Sequence, residues 1–315
     1  MSTGTVTTPT PTPTFAQRRR RHLTERAREE RHLAYWLCAP AAIVMILVTA
    51  WPIINAVTLS LQRSDLRFPN ATKFIGLSNY GHALSAPLFW QDVLHTVIIT
   101  VVTVSIQFVL GMCLALIMHR TLVARGITRA VALIPYGIVA VVAAYSWELA
   151  WSLNSGWIPH LLGLSGDPLS HQFGTYVAII VTEVWKNTAF MALLLLAGLA
   201  LVPDELQEAA KVDGATAWQR FIRITVPLMK PAILVALLFR TLDAFRIFDT
   251  IYIFNQGAQG TESISMLNYN TLLNRLNLGL GSAVSILLFL MVAIIAAVFI
   301  KVFGAGATPG GETAR

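Results

Sequence analysis

The chain has 315 residues, of which 55% are hydrophobic and only 12% are charged. With a mean hydropathy of +0.63, this composition excludes an ordinary soluble globular protein and indicates a protein that crosses a membrane several times. The formal net charge of +7 does not indicate a nucleic-acid partner, because the basic residues crowd at the ends of apolar runs, where they orient a membrane protein.

The first 32 residues are predicted to form a disordered, Arg-rich cytoplasmic tail. Residues 1–17 are rich in Thr and Pro, a composition that disfavours a packed structure. Residues 18–32 hold seven arginines and three glutamates, which suggests a short helix on the membrane surface. That helix is either a gating or regulatory element or a plain signal that keeps the N-terminus inside.

Six apolar runs follow, each long enough for a membrane-spanning helix of about 20 residues. They lie at residues 33–61, 93–118, 127–151, 175–201, 231–254 and 282–303. Pro40 and Pro52 are expected to kink the first. Sixteen Lys and Arg residues fall in the tails and loops on the side of the termini and four on the opposite side, so both termini are predicted to be cytoplasmic.

The expected fold is therefore an all-α integral membrane domain over residues 33–303, followed by a flexible cytoplasmic tail over residues 304–315. The sequence contains no G-x-x-x-x-G-K-[ST], H-E-x-x-H or G-x-S-x-G motif, and its seven histidines are scattered. We therefore expect no enzymatic activity, no metal site and no cofactor in this chain.

The segment between the fourth and fifth runs, residues 202–227, combines polar and small residues in a pattern of two helices. Asp204 with Gln207 resembles a capping box that opens a first helix. Gly214 is a natural stop in left-handed geometry.

Thr216 with Gln219 forms a second capping-box pattern, and the helix that it opens is expected to end before Pro227. This helix carries an amphipathic stripe that consists of Trp218, Phe221, Ile222 and Thr225. The stripe is predicted to rest on the membrane interface or on the end of the bundle. From the residues alone, the segment is either a rigid docking protrusion or an ordinary connecting loop.

The same segment resembles the EAA motif of bacterial ABC-importer permeases. The matching residues are Glu208-Ala209-Ala210, Asp213-Gly214-Ala215, Phe221, Ile224 and Pro227, with Gly214 standing 101 residues before the last residue. Residues 74–80, 249–254 and 281–283 extend the resemblance to the carbohydrate branch of this family, which includes maltose and glycerol-phosphate permeases. Residues 255–260 depart from the family's Thr-Gly-Gly-Pro loop.

The resemblance implies a type I ABC-importer permease bundle in the bacterial inner membrane that carries a carbohydrate, such as the disaccharide trehalose. It implies four partners: a homologous second permease, two ATPase subunits that hold ATP and Mg²⁺, and an extracellular sugar-binding protein. The residues expected to couple to the ATPase are Glu205, Glu208, Ala209, Ala210, Asp213, Gly214, Ala215 and Phe221.

Polar side chains inside the fourth and fifth runs are candidates for substrate contacts, because charge within a membrane span is costly. Glu183, Lys186 and Asn187 lie on or beside one helical face with Phe190. Arg240 and Asp243 begin a series of alternating charges in steps of three residues. The resemblance to maltose-type permeases adds Ala244 and Ile247 to the candidates. In both runs the alternative is a self-neutralised set of charges that only packs helices together.

Two rival functions remain open. A secondary, ion-coupled carrier would need no ATPase, although the sequence shows no internal repeat of the kind many such carriers have. An intramembrane enzyme would need a catalytic constellation that the motifs do not provide.

Overall fold

The computed structural model describes residues 15–120 and 125–304, and the chain divides into two compact units, Met1–Ala56 and Val57–Arg315. The described part of the first unit belongs to helix α1 (Phe15–Ser60), in which Pro40 and Pro52 lie without ending the helix. Residues 15–32 are therefore helical and continuous with the first span. The disorder expected for residues 1–17 is thus corrected only at residues 15–17, and the helix predicted over residues 18–32 is present as part of α1 and not as a separate helix.

The reason for this continuity is compositional, because no Gly or Pro interrupts residues 15–39 and Glu, Arg and Ala favour helix. The predicted disorder of residues 1–14 and the predicted flexible tail from residue 305 onward lie outside the described residues.

The described part of the second unit consists of helices, their connecting loops and one small hairpin, in which β1 (Gln62–Arg63) pairs antiparallel with β2 (Lys73–Phe74). Its further α-helices, in chain order, are α2 (Ser78–Ser85), α3 (Pro87–Arg120), α4 (Arg125–Gly137), α5 (Ala140–Trp151), α6 (Trp157–Leu162), α7 (Gln172–Leu199), α8 (Asp204–Val212), α9 (Ala217–Arg220), α10 (Val226–Leu228), α11 (Lys230–Ala244), α12 (Asp249–Phe254), α13 (Ile264–Tyr269) and α14 (Leu278–Gly304). Short 3₁₀ turns occupy Pro69–Ala71, Pro168–Ser170 and Ala258–Gly260, and π-helical turns occupy Phe221–Thr225 and Asn270–Asn274.

Four helices in the described residues are long and apolar enough to cross a membrane, and there are six candidate spans if each of two bent pairs counts as one. The six predicted spans correspond to these candidates. The first pair, Gly126–Gly137 and Ala140–Trp151, bends by 84° after Pro135, whose ring cannot donate a helical hydrogen bond. The second pair, Ala217–Leu228 and Lys230–Phe254, bends by 71°.

The second span begins earlier than the apolar pattern predicts, at Pro87 instead of residue 93. The hydropathy pattern is interrupted by Asp92, yet only 1% of this side chain's surface is exposed. Neighbouring helices bury the carboxyl, so it does not mark the end of the span.

Helices α3, α7 and α11 pack against one another around the most extensive apolar cluster, which includes Met112, Ala115, Met191, Leu195 and Ala236. Glycines allow the closest approach. A Cβ on Gly198 of α7 would lie 2.4 Å from Ala232 Cβ of α11. This contact fixes the two helices that carry the polar side chains described next.

Candidate functional site

Arg240 joins three helices at the centre of the bundle. Its side chain is 1% exposed. Its Nε donates a hydrogen bond to Gln107 Oε1 of α3 at 2.7 Å, and its Nη2 donates to Glu183 Oε2 of α7 at 3.3 Å. Its Nη1 donates to Asp243 Oδ2, one turn along α11. A charge this deep in a membrane domain is tolerated only because it is paired and hydrogen-bonded.

Glu183 is the shared acceptor of this polar network. Its Oε1 accepts from Thr250 Oγ1 at 2.7 Å and its Oε2 also accepts from Asn187 Nδ2 at 2.9 Å. Within residues 15–120 and 125–304, Glu183 forms no ion pair with Lys186. The alternative interpretation of the fourth run, in which its own charges neutralise one another, is therefore not what the structure shows, because Glu183 pairs with Arg240 of the next span.

A polar cavity of about 130 Å³ lies beside this network. Its walls are formed by Ala140, Glu183, Lys186, Asn187, Asp243, Arg246, Ile247, Phe248, Asp249 and Thr250. The cavity thus combines acids, bases, an amide and a hydroxyl, which are the groups that hydrogen-bond a hydroxyl-rich solute.

The shape of this cavity depends on a break in the fifth span. Helix α11 ends at Ala244 and α12 begins only at Asp249. The alternating charges therefore do not run along one continuous helix. In the described part of the chain only the Arg240–Asp243 pair of this series forms an ion pair, while Arg246 and Asp249 line the cavity.

Three of the predicted substrate residues have largely apolar surroundings. Phe190 stacks on Tyr136 with the ring centroids 5.1 Å apart. Ala244 is 4% exposed in the α3–α7–α11 core, and Ile247 is 7% exposed in a second apolar cluster while also lining the cavity.

Sequence reasoning missed Gln107 and Thr250. Gln107 is fully buried, and its Nε2 donates to the backbone oxygen of Glu183 at 2.8 Å. The sequence did contain a signal for Gln107, because a glutamine inside an apolar run is a costly polar group. Thr250 offered no such signal, because threonine is common in helices of this kind.

The segment 202–227 forms a first helix that ends at a glycine, as predicted. Gly214 has φ +79°. The backbone amide of Gly214 donates a hydrogen bond to the carbonyl of Lys211 at 3.2 Å, and the backbone amide of Ala215 donates one to the carbonyl of Ala210 at 2.9 Å. This pair of bonds is the Schellman motif, which needs a left-handed residue at its centre.

Helix α8 presents an open surface. None of its residues is buried, and Glu205, Glu208, Ala209 and, just beyond it, Asp213 are exposed. Phe221 differs, because it is half-buried against the core. The first predicted capping box is wrong, since Pro203 is the N-cap residue and Gln207 instead donates to Thr225 Oγ1 at 3.0 Å.

The second capping box is confirmed. Thr216 accepts from the backbone amide of Gln219, and Gln219 Oε1 accepts from the backbone amide of Thr216 at 2.8 Å. The expectation that this helix ends before Pro227 is wrong. The π-helical turn Phe221–Thr225 widens the backbone, so that the proline continues the helical path to Leu228.

Comparison with known proteins gives a consistent result. Residues 81–305 match the family model of the binding-protein-dependent transport system inner membrane component. The chain is 55% identical to the trehalose transport system permease protein SugA of Mycobacterium tuberculosis, over 90% of this chain and 92% of that protein. It is 41% identical to the trehalose/maltose transport system permease protein MalF of Thermococcus litoralis, over 87% and 94% of the two chains.

A solved structure shows the same fold at lower sequence similarity. A chain of a bacterial ABC transporter involved in the import of the acidic polysaccharide alginate matches with a TM-score of 0.76 and 21% identity. The match covers 90% of this chain and 99% of that chain.

Proposed function

Because the chain belongs to the family of binding-protein-dependent transport system inner membrane components, we propose that it forms half of the path by which an ABC importer carries a disaccharide such as trehalose. Members of this family are permeases of the inner membrane and not enzymes. The observation that carries the choice of cargo is the 55% identity, over nine-tenths of the chain, to a trehalose permease.

The polar cavity supports a hydroxyl-rich cargo. Lys186, Arg246 and Asp249 line it and have no ion pair among the described residues. These charges are therefore available to the hydroxyls of a sugar, whereas Glu183 and Arg240 are already engaged with each other. We assign the direct contacts to the first group and the positioning of the wall to the second.

Coupling to the ATPase is assigned to the exposed helix α8 and the Gly214 turn. Two ATPase subunits would grip this protrusion and its counterpart on a second permease. A rigid helix that ends in a hydrogen-bonded turn transmits the motion of the ATPase subunits to the membrane spans better than a flexible loop does. ATP-driven closure would then switch the path between its inward-facing and outward-facing states.

Delivery of the sugar is assigned to an extracellular binding protein that contacts the outer loops, residues 68–85 and 255–280. The second loop is held in one conformation by left-handed backbone angles and by hydrogen bonds of the Asn255 side chain. Gln256 and Gln259 both have φ 54°. The Asn255 side chain holds the loop by donating to the carbonyl of Ala258 at 3.0 Å and accepting from the amide of Gly257 at 3.1 Å.

The test is uptake in proteoliposomes that contain this chain, the second permease, the ATPase and the binding protein. We expect uptake of labelled trehalose that requires ATP and is indifferent to ion gradients. Uptake that survives removal of ATP and follows an ion gradient would support a secondary carrier instead. The ligand specificity of the co-purifying binding protein identifies the sugar independently.

A further inference from the structure

An apolar groove of about 720 Å³ runs along α3 beside residues 217–226. Val109 and Cys113 of α3 form one wall, and Trp218 and Ile222 form the other. These side chains are exposed; Trp218 exposes 70% of its surface. The groove has the size of a ligand site, which is typically about 300–1,000 Å³.

The groove ends at a group of basic side chains. Arg120 lines both the groove and a neighbouring cavity of about 210 Å³, which His119 and Arg220 also line, together with the carboxylate of Asp204. The guanidinium of Arg220 lacks part of its hydrogen bonding. Its Nη1 reaches the carbonyl of Gln207 only at 3.5 Å, and its buried Nε has no hydrogen-bond partner among the described residues.

The dimensions match one leaflet of a bilayer. Phe108, at the far end of the groove, and Arg120 are both on α3, about 18 Å apart at 1.5 Å per residue. Half of a hydrocarbon core is about 15 Å. The apolar walls therefore match the depth of an acyl chain, and Arg120 lies at the end of the α3 span.

We propose that this groove binds an anionic phospholipid of the leaflet next to residues 202–227. One acyl chain lies between α3 and Trp218, and the phosphate contacts Arg120 and Arg220. The charge at the end of the groove selects an anion. The lipid would hold Trp218 and Ile222 against α3, next to the segment assigned to coupling.

The test is native mass spectrometry of the assembled importer after reconstitution in bilayers with equal amounts of phosphatidylglycerol and phosphatidylcholine. Two arginines near an anionic headgroup favour it by about tenfold or more, so we expect the retained lipid to be enriched in phosphatidylglycerol about tenfold. Arg220→Gln and Arg120→Gln should each remove most of this enrichment. Arg223→Gln, in the same turn but outside the groove lining, should keep it.

The groove itself is tested by filling it. Cys113→Trp should reduce the bound phosphatidylglycerol, whereas Ile117→Trp, which places the same side chain on the same helix outside the lining, should not. Equal retention of both lipids, or enrichment that survives both arginine substitutions, would overturn the proposal. So would unchanged binding in Cys113→Trp, because the retained phosphatidylglycerol would then lie outside the groove. None of these measurements depends on which sugar is carried.

Discussion

The guanidinium of Arg240 on α11 donates to the carboxylate of Glu183 on α7 at 3.3 Å, and both groups are largely buried. The pair joins the two spans expected to meet the cargo. Its members are separated by 57 residues in the chain, so it is a tertiary contact and not a local one. It neutralises two costly charges and holds Glu183 in the wall of the polar cavity.

Arg240→Met should destabilise the protein by about 3 kcal/mol, because it leaves the Glu183 carboxylate buried without its counter-charge. The double variant Arg240→Met/Glu183→Gln removes that charge and should recover most of the loss. Denaturant unfolding of the purified complex in detergent measures both. Arg246→Met is the matched control; since Arg246 is exposed, its effect should stay within about 0.5 kcal/mol. Equal losses in the single and double variants would contradict the role of the pair.

Lys186→Met should weaken transport without unfolding the protein. Lys186 lines the cavity and has no ion pair among the described residues, so its loss removes a charged donor to the cargo. A charged hydrogen bond is worth about 1.5–3 kcal/mol, and the KM for uptake should therefore rise by at least about tenfold. Lys301→Met, at an exposed position near the end of α14 and outside the cavity, the outer loops and the coupling segment, serves as the control. An unchanged KM would remove Lys186 from the site.

Gly214→Val should uncouple ATP hydrolysis from uptake. A Cβ at Gly214 would meet nothing within 4 Å, and the restriction is the φ of +79°, which costs a β-branched residue about 1–2 kcal/mol or more. Gly214→Asn should retain most coupling, because asparagine tolerates left-handed geometry. The ratio of sugar transported to ATP hydrolysed measures the effect. Equal ratios for the two variants would contradict a role for the left-handed backbone geometry of this turn.

Gly198→Ala should destabilise the helix packing by about 1–3 kcal/mol, because the added Cβ would lie 2.4 Å from Ala232 Cβ. Gly126→Ala, at a helical glycine with open space around it, should be neutral or slightly stabilising. Thermal unfolding of the two purified variants provides the comparison. A neutral Gly198→Ala would mean that α7 and α11 can separate freely at this point.

The number and order of the spans, and the Gly214 turn, could be predicted because their causes are local. A run of about 20 apolar residues has to satisfy its backbone within a helix when it enters lipid. A left-handed turn after a short helix needs glycine. The second capping box is local for the same reason, since Thr216 and Gln219 lie three residues apart.

Other features could not be predicted because distant groups decide them. The break between Ala244 and Asp249 cannot be inferred from the hydropathy of residues 231–254, and it separates charges that seemed to form one helical series. The start of α3 at Pro87 depends on neighbours that bury Asp92. The partner of Glu183 could not be predicted for this reason, since Arg240 lies 57 residues away in the chain but next to Glu183 in space.

The sequence by itself determined an all-helical membrane domain with six candidate spans, and a glycine-ended helix in the segment that resembles the EAA motif, because hydropathy and turn chemistry act over a few residues. Only the tertiary structure decided which polar side chains neutralise one another and which remain open to a cavity. Ion pairs within a membrane form between whichever charges the packed helices bring together, and close contacts such as Gly198 with Ala232 set that packing.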